Sequence, residues 1–265
     1  MTHIIRSTLG ALAASVVLSG AAAFGSPLSA QTEVGPGSVV TGTSGVESRN
    51  ESIEIGDGAV IEGPVRTRNG RLDLGEDVEV GAEVENRNGR ITLGPGTTVR
   101  GPVVNRNGRV ELGDGVRIHG TAETRNGRIH LGTDGEVQGD LDTRNGAIEV
   151  ASGARVAGNV STRNGQVDLD GATVGGYVDV HRGDVNMVGR TEVQGDVILL
   201  MPEGAGGWLP SWLPFVSDPE PVVRIEEDVR IHGRLIVDER ARLDVASGAQ
   251  VPEPERYPHR DAWTP

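Results

Sequence analysis

Arginine recurs at one fixed interval, and its spacing points to chemistry more directly than that of any other polar residue. Six arginines each precede an Asn-Gly step and lie nineteen residues apart: Arg68, Arg87, Arg106, Arg125, Arg144 and Arg163. A guanidinium group presents a planar fork of donors that matches the oxygens of carboxylates and phosphates. The spacing therefore predicts a candidate anion-binding edge for phosphates or acidic sugars.

The same arginines have a second interpretation, because a column of like charges is self-repulsive. A second, partial column follows the glycine at Arg71, Arg90, Arg109 and Arg128. Acidic residues such as Glu111 and Glu149 lie close by in the repeat. A solvated lattice of alternating charge, worth no more than about 1 kcal/mol per pair, would offset the repulsion. The sequence favours this lattice over the anion-binding edge.

Carboxylates and histidines are the residues that would carry hydrolytic or metal chemistry. Acidic side chains share one column of the repeat, but Thr92 and His130 interrupt it, and acids on a repeated face are expected from solubility alone. The histidines lack the spacing of metal ligands, and the glycine-aspartate calcium repeat is absent. We therefore expect no catalytic residue, no metal and no cofactor, so the chain is predicted not to be an enzyme.

The Asn-Gly dipeptide marks a bend that returns in every repeat. It is the dipeptide best suited to consecutive residues with positive φ in a tight turn. Seven asparagines occupy this place: Asn50, Asn69, Asn88, Asn107, Asn126, Asn145 and Asn164. If the repeats stack about 4.8 Å apart, their amides can form a hydrogen-bonded ladder. The motif is therefore predicted to be a structural turn ladder.

Short strands must position these side chains. Between the turns, apolar residues alternate with polar ones and fall into columns, such as Ile53, Leu72 and Ile91 or Ile61, Val80 and Val99. This period of two is typical of strands with one buried face. Identical positions in successive repeats can then pair in parallel, as in a β-solenoid. We predict an all-β, single-stranded parallel β-helix of about ten coils of about 19 residues. The preference of parallel crossovers favours a right-handed helix, and a left-handed helix built from hexapeptides with one extra residue per coil is the alternative.

Breaks in the repeat divide the chain. We expect a signal peptide, an irregular cap segment, a solenoid, a Trp- and Pro-rich insertion loop, C-terminal solenoid coils and a Pro-rich tail, at residues 1–30, 31–47, 48–200, 201–222, 223–251 and 252–265. Trp208, Trp212 and Phe215 in the insertion are candidate partner contacts. Covering one side of the stack is the alternative role for this loop.

The first thirty residues indicate export. Arg6 precedes an apolar stretch and small residues lead up to Ala30, which predicts a secretory signal peptide cleaved after Ala30. The chain is then periplasmic or secreted and keeps no transmembrane segment. The formal net charge of −13 argues against nucleic acid as a partner. Cysteine is absent, so stability depends on packing and hydrogen bonds.

The leading apolar pair and the following V-x-G-D step, as in "RIHLGTDGEVQGDLDT", resemble the repeats of bactofilins, a polymer-forming cytoskeletal family. The chain is also similar in style to exported Asn-Gly repeat proteins of Gram-negative bacteria. The resemblance implies a β-helix that polymerises end to end without nucleotide. The signal peptide, the Arg-Asn-Gly turn and the Trp-rich insertion depart from the bactofilin pattern, so a cytoplasmic role does not transfer.

Two functions remain open. The first is an exported, non-enzymatic structural protein of the cell envelope that forms polymers or takes part in assembly, with end-to-end self-association and contact with an envelope component. The alternative is a module that binds an anionic glycan or lipopolysaccharide through the arginines or the Trp-rich loop. The sequence favours the first.

Overall fold

Repetition of the same strand positions builds three long parallel sheets. A computed structural model describes residues 31–202 and 220–263, and the predicted β-solenoid is confirmed, with about eleven coils. Each coil contributes one strand to sheet A, one to sheet B and one to sheet C, in that order along the chain, except that the last coil has a single bridge at Gln250 in place of a sheet B strand. Equivalent strands of successive coils pair in parallel, as Ile91 does with Leu72 and Val110.

The strands are short and evenly spaced. Sheet A contains Gln31–Val34, Ser52–Ile55, Leu72–Leu74, Ile91–Leu93, Val110–Leu112, Ile129–Leu131, Ile148–Val150, Val167–Asp170, Val185–Val188, Val222–Ile225 and Arg242–Val245. Sheet B contains Val39–Val40, Val60–Ile61, Glu79–Val80, Thr98–Val99, Arg117–Ile118, Glu136–Val137, Arg155–Val156, Thr173–Val174, Glu192–Val193 and Arg230–Ile231. Sheet C contains Val46–Ser48, Val65–Asn69, Val84–Asn88, Val103–Asn107, Ala122–Asn126, Leu141–Asn145, Val160–Asn164, Val178–Val180, Val197–Leu199, Leu235–Asp238 and Pro254–Tyr257. A 3-10 helix, Arg260–Ala262, lies close to the C-terminal end.

The apolar columns of the sequence form one continuous core along the axis. Ile53, Leu72 and Ile91 in sheet A and Ile118 in sheet B have no exposed surface. Burying an aliphatic side chain of this size stabilises the fold by about 1.5–3 kcal/mol relative to exposing it. Because the interior is narrow, β-branched and leucine side chains from the three sheets fill it without aromatic rings.

The register shifts where the repeat changes length. Val160 pairs with Val178 instead of a residue nineteen positions on, so one residue is lost in this coil. Val197 then pairs with Leu235, and the intervening chain includes residues 203–219, which lie outside the described residues together with Trp208, Trp212 and Phe215. The signal-peptide prediction for residues 1–30 also falls outside the described part.

Two segments that the sequence assigned to irregular structure belong to the solenoid. Residues 31–47 form most of the first coil, and Gln31–Val34 pairs in register with Ser52–Ile55. Most of their Gly, Ser and Thr residues lie between strands, although Thr32 lies in the first strand and is buried. Val40 and Val46 point inward and are buried. Pro254–Tyr257 likewise pairs with Leu235–Asp238.

Pro254 fits this last strand because of its place in the register. In earlier coils the residue at this position donates its N–H to the next coil, as Val197 N–H does to the Arg234 carbonyl at 2.8 Å. The described chain has no coil beyond Pro254, so proline forgoes no hydrogen bond there. The tail therefore ends sheet C with a residue that cannot donate to another strand.

The tail also folds onto the outer face of sheet C. Ile198, Leu200 and Ile236 point outward yet are at most 4% exposed, because Tyr257 and Trp263 pack against them. Arg260 forms an ion pair with Asp179. Residues 255–263 thus act as a strap over a second, external apolar cluster.

Candidate functional site

The turn between sheet C and sheet A, here called the C–A corner, fixes the repeated Arg-Asn-Gly motif. Asparagine ends the sheet C strand and only the glycine has positive φ, for example 153° at Gly127. The expectation of two consecutive positive-φ residues was therefore wrong. A Cβ at Gly127 would lie 2.0 Å from the Gly108 carbonyl oxygen, so close approach of successive coils excludes any side chain there.

Seven asparagines at the C–A corner form a continuous hydrogen-bonded ladder. Asn69 Nδ2 donates to Asn50 Oδ1 at 3.0 Å, and every later step has a donor–acceptor distance of 2.8 Å. The ladder runs Asn50, Asn69, Asn88, Asn107, Asn126, Asn145 and Asn164. Its members are exposed except for the half-buried Asn164. The ladder thus holds the outer rim of the corner at a constant spacing.

A second polar column lies on the inner side of the same corner and is buried. Its members precede each arginine: Thr67, Asn86, Asn105, Thr124, Thr143 and Thr162. Each donates to a carbonyl of the preceding turn, as Asn105 Nδ2 does to Gly89 O at 2.9 Å and Thr143 Oγ1 to Gly127 O at 3.2 Å. Asn105 Oδ1 is buried without a partner among the described residues. This inner column anchors each turn to the one before it.

The arginines that precede the asparagines form the feature here called the open column. Its members are exposed: Arg49, Arg68, Arg87, Arg106, Arg125, Arg144 and Arg163. None of them forms an ion pair with any carboxylate in residues 31–202 or 220–263. The column ends at His181, which takes the register position after Arg163. Seven guanidinium groups that have no ion pair within the described chain therefore line one edge of the solenoid.

The arginines that follow the glycine behave differently, and we call them the paired column. Arg109 Nη1 lies 2.8 Å from Glu111 Oε1, and Arg128 Nη1 lies 2.9 Å from Glu149 Oε1. Arg90 approaches Glu111 at 3.7 Å. The hydrogen bond to Glu111, aided by its charge, raises the pKa of Arg109. The lattice of alternating charge predicted from the sequence describes this column, with Arg71 as its one unpaired member among the described residues.

Carboxylates flank the open column on sheet C. Glu85, Glu123 and Asp142 lie two residues before Arg87, Arg125 and Arg144 on the same outer face. Two of these acids have partners elsewhere: Asp142 accepts a hydrogen bond from Ser161, and Glu85 approaches Arg66 at 3.9 Å. In these three coils the cationic edge is therefore narrow on its sheet C side, whereas Arg66, Val104 and Ser161 occupy the equivalent position in other coils.

Arg66 shows how a sheet C arginine is neutralised when carboxylates are within reach. It binds Glu47 at 2.7 Å and also pairs with Glu83. The hydrogen bond from Arg66 lowers the pKa of Glu83. This arrangement lies on the open face of sheet C, two residues before the open column.

Histidine and carboxylate side chains of the described chain do not assemble into a metal cluster. No group of three or more histidine, aspartate or glutamate side chains there is placed to hold a metal ion. A groove of about 340 Å³ near the first coils is lined by Glu33, Glu54, Asp57 and Asp73. These acids belong to regular columns and turns; Asp57 Oδ1 accepts the Glu76 N–H at 2.8 Å, a structural role.

Comparisons with protein-family models, curated proteins and solved structures give no match. Among residues 31–202 and 220–263, no helix has the length and apolar character needed to cross a bilayer. The arrangement of side chains at the C–A corner is therefore the feature of the described chain that bears on function.

Proposed function

We propose that this chain is an exported, non-enzymatic structural protein of the cell envelope that binds a linear anionic polymer along its open column. The observation that carries the proposal is the set of seven exposed guanidinium groups without an ion pair among the described residues. Each is a charge-assisted donor with room for a carboxylate or phosphate oxygen. The column repeats once per coil, which suits a polymer better than a small ligand.

Charge distribution supports this role because the column goes against the balance of the whole protein. The chain has 38 acidic and 25 basic residues, so acids for neutralising the column are not scarce. Nearby carboxylates pair with Arg66 or with the paired column instead. Stacked like charges cost stability, and a bound polyanion would offset that cost.

The proposal that the protein is exported rests on the sequence. The predicted signal peptide would deliver residues 31–265 to the periplasm or the exterior, where linear anionic polymers of the envelope are accessible. The absence of cysteine makes folding independent of disulfide formation in that compartment.

Retention on an immobilised linear polyanion tests the proposal. We expect residues 31–265 to be retained at about 0.1 M salt, where a Debye length near 10 Å screens the acids on the far faces. Reversing Arg87, Arg106 and Arg125 to Glu should abolish retention, while circular dichroism shows an unchanged β fold. A wild-type protein that flows through unretained would reject the binding function.

End-to-end assembly is a second candidate, favoured by the last strand of sheet A. Arg242–Val245 pairs only with Val222–Ile225 among the described strands, and Val245 in it is 40% exposed. An open edge with partly exposed apolar residues can pair with another chain, here the first coil of a second copy. Such a head-to-tail contact would build open filaments.

Electron microscopy and light scattering on residues 31–265 test this second candidate. Filaments that disappear when Val245 is replaced by Glu would support it. A protein that stays monomeric at high concentration would reject it, without bearing on polyanion binding.

A further inference from the structure

We infer that the polymer bound by the open column is a single-chain polysaccharide with a carboxylate on each successive sugar, lying parallel to the solenoid axis. This inference rests on the proposed function and narrows its ligand. Three observations carry it: the spacing of the arginines, the width of the cationic edge and the amides beside it.

Spacing comes first. Parallel strands lie about 4.8 Å apart. Each hydrogen bond of the Asn ladder from Asn69 to Asn164 has the same donor–acceptor distance, 2.8 Å. The backbone spacing of the neighbouring arginines is therefore constant from coil to coil. The length that one pyranose adds to an extended polysaccharide chain is close to this rise per coil. Carboxylates on successive sugars can therefore stay in step with successive guanidinium groups. Phosphates about 3.4 Å apart along a nucleic-acid strand fall out of step within a few coils.

The width of the edge favours one chain over a broad surface. Glu85, Glu123 and Asp142 flank the open column on sheet C, and Glu111 and Glu149 lie beyond the paired column on sheet A. A duplex or an anionic bilayer would bring its charges close to these acids. A single polysaccharide chain can follow the arginines alone.

The amides of the ladder supply the contacts that a sugar needs besides its charge. Asn126 Nδ2 donates to Asn107 Oδ1, and Asn126 Oδ1 accepts from Asn145. A primary amide has two N–H donors and two acceptor lone pairs, so one of each is left on an exposed side chain. Each coil of the ladder thus offers a cation and an exposed amide with spare hydrogen-bonding capacity, apart from Asn88, whose Nδ2 also donates to the Arg68 carbonyl at 3.3 Å. These groups match a carboxylate and hydroxyls on one sugar.

The arginine side chains also favour carboxylate over a simple point charge. A guanidinium binds carboxylate through two parallel N–H···O bonds, whereas an ammonium group cannot form this fork. Replacing Arg87, Arg106 and Arg125 together by Lys keeps the charge and removes the fork. That variant separates carboxylate recognition from general attraction to anions.

Equilibrium titration of residues 31–265 with defined polymers at about 0.1 M salt, in EDTA, tests the inference. The probes are oligogalacturonides of four, eight and twelve sugars, hyaluronan oligosaccharides with a carboxylate on every second sugar, polyphosphate, and phosphatidylglycerol vesicles. We expect affinity to rise with oligogalacturonide length up to about seven or eight sugars, one for each open-column arginine. We expect at least tenfold weaker binding to hyaluronan, polyphosphate and vesicles, and a severalfold loss on oligogalacturonide for the Lys variant.

The outcomes separate the two levels of the claim. Equal or tighter binding of hyaluronan, polyphosphate or vesicles would overturn the inference, and so would a Lys variant equal to wild type on oligogalacturonide. The proposed function would survive those results provided that the Glu variant lost binding. Absence of binding to every probe would reject both.

Discussion

The arginines of the open column and those of the paired column lie three residues apart in the same turn. Of these two sets, only members of the paired column form ion pairs with carboxylates within the described chain. Arg106 is exposed and has no ion pair among the described residues, whereas Arg109 forms a 2.8 Å pair with Glu111. The difference lies in the sheets beside them. The paired column borders the acidic outer column of sheet A. The open column lies at the end of the sheet C strands, where Arg66 pairs with Glu47 and Glu83 and Ser161 donates to Asp142. Position in the coil, and not residue type, decides which arginines remain available to a ligand.

Both columns of arginine depend on the backbone turn at the C–A corner. Disrupting that turn should have the largest effect on the free energy of unfolding. Gly127→Ala would place a Cβ 2.0 Å from the Gly108 carbonyl at a φ of 153°. Backbone strain and overpacking should together cost about 3 kcal/mol or more. Chemical denaturation measures the loss.

Gly115→Ala is the matched control for this prediction. Its φ is 64° and the nearest atom to the new Cβ lies 4.0 Å away, so only the positive φ is penalised, by about 1 kcal/mol. Equal losses for the two variants would show that close packing of the C–A corner does not determine its residue type.

The inner polar column, which anchors each turn to the one before it, provides a second test of the C–A corner. Asn105→Ala should cost about 1–3 kcal/mol, because the part-buried Gly89 carbonyl loses the hydrogen bond from the buried Asn105 side chain. Asn105→Thr should be tolerated, since Thr124 makes the same bond to Gly108 at 3.2 Å and the unpartnered Oδ1 disappears. Denaturation midpoints that place Thr below Ala would contradict this account of the column.

The fold was predictable to the level of the coil because every inward position repeats. Alternating apolar columns require parallel stacking, and the structure pairs Ile91 with Leu72 and Val110 as the repeat implies. The ends were misjudged, since single terminal coils carry fewer apolar residues and resemble linkers. The strap over sheet C had a visible signal: Val197–Leu199 is apolar at all three positions, so both of its faces must be covered.

The sequence predicts which residues stack at the C–A corner, but not which of the arginines form ion pairs. Spacing identifies the asparagines and arginines that stack, because stacking follows from the period alone. Which arginines find a carboxylate depends on side-chain reach across a corner. Arg90 and Arg109 both approach Glu111, and sequence distance alone cannot distinguish this from a pairing with Arg106. For this reason the sequence favoured a uniform charge lattice.

The Asn ladder tests how far the spacing of both columns depends on hydrogen bonds. Asn126→Ala removes bonds to Asn107 and Asn145. The ladder is exposed, so water can replace part of what is lost and we expect a cost of about 0.5–1.5 kcal/mol. Asn50→Ala, at the end, removes one bond and should cost less. Denaturation that shows no effect at either position would remove the ladder from the account.

The smallest effect should be a difference in sign between the two columns. Replacing Arg87, Arg106 and Arg125 by Gln relieves like-charge repulsion and should stabilise the fold by a few tenths of a kcal/mol per site at low salt. Replacing Arg90, Arg109 and Arg128 by Gln removes ion pairs and should destabilise the fold. Thermal unfolding at low and high salt measures both. Shifts of the same sign would break the distinction between the columns.

Binding of a linear polyuronate to these two Gln variants tests the central claim most directly. Both lose three positive charges from the same turns, so net charge cannot explain a difference between them. The account predicts that loss of the open-column arginines weakens binding by about 30-fold or more, roughly 2 kcal/mol, and that loss of the paired-column arginines changes it less than about threefold. Calorimetric titration at about 0.1 M salt that gave equal losses for the two variants, or no binding by the wild type, would contradict it.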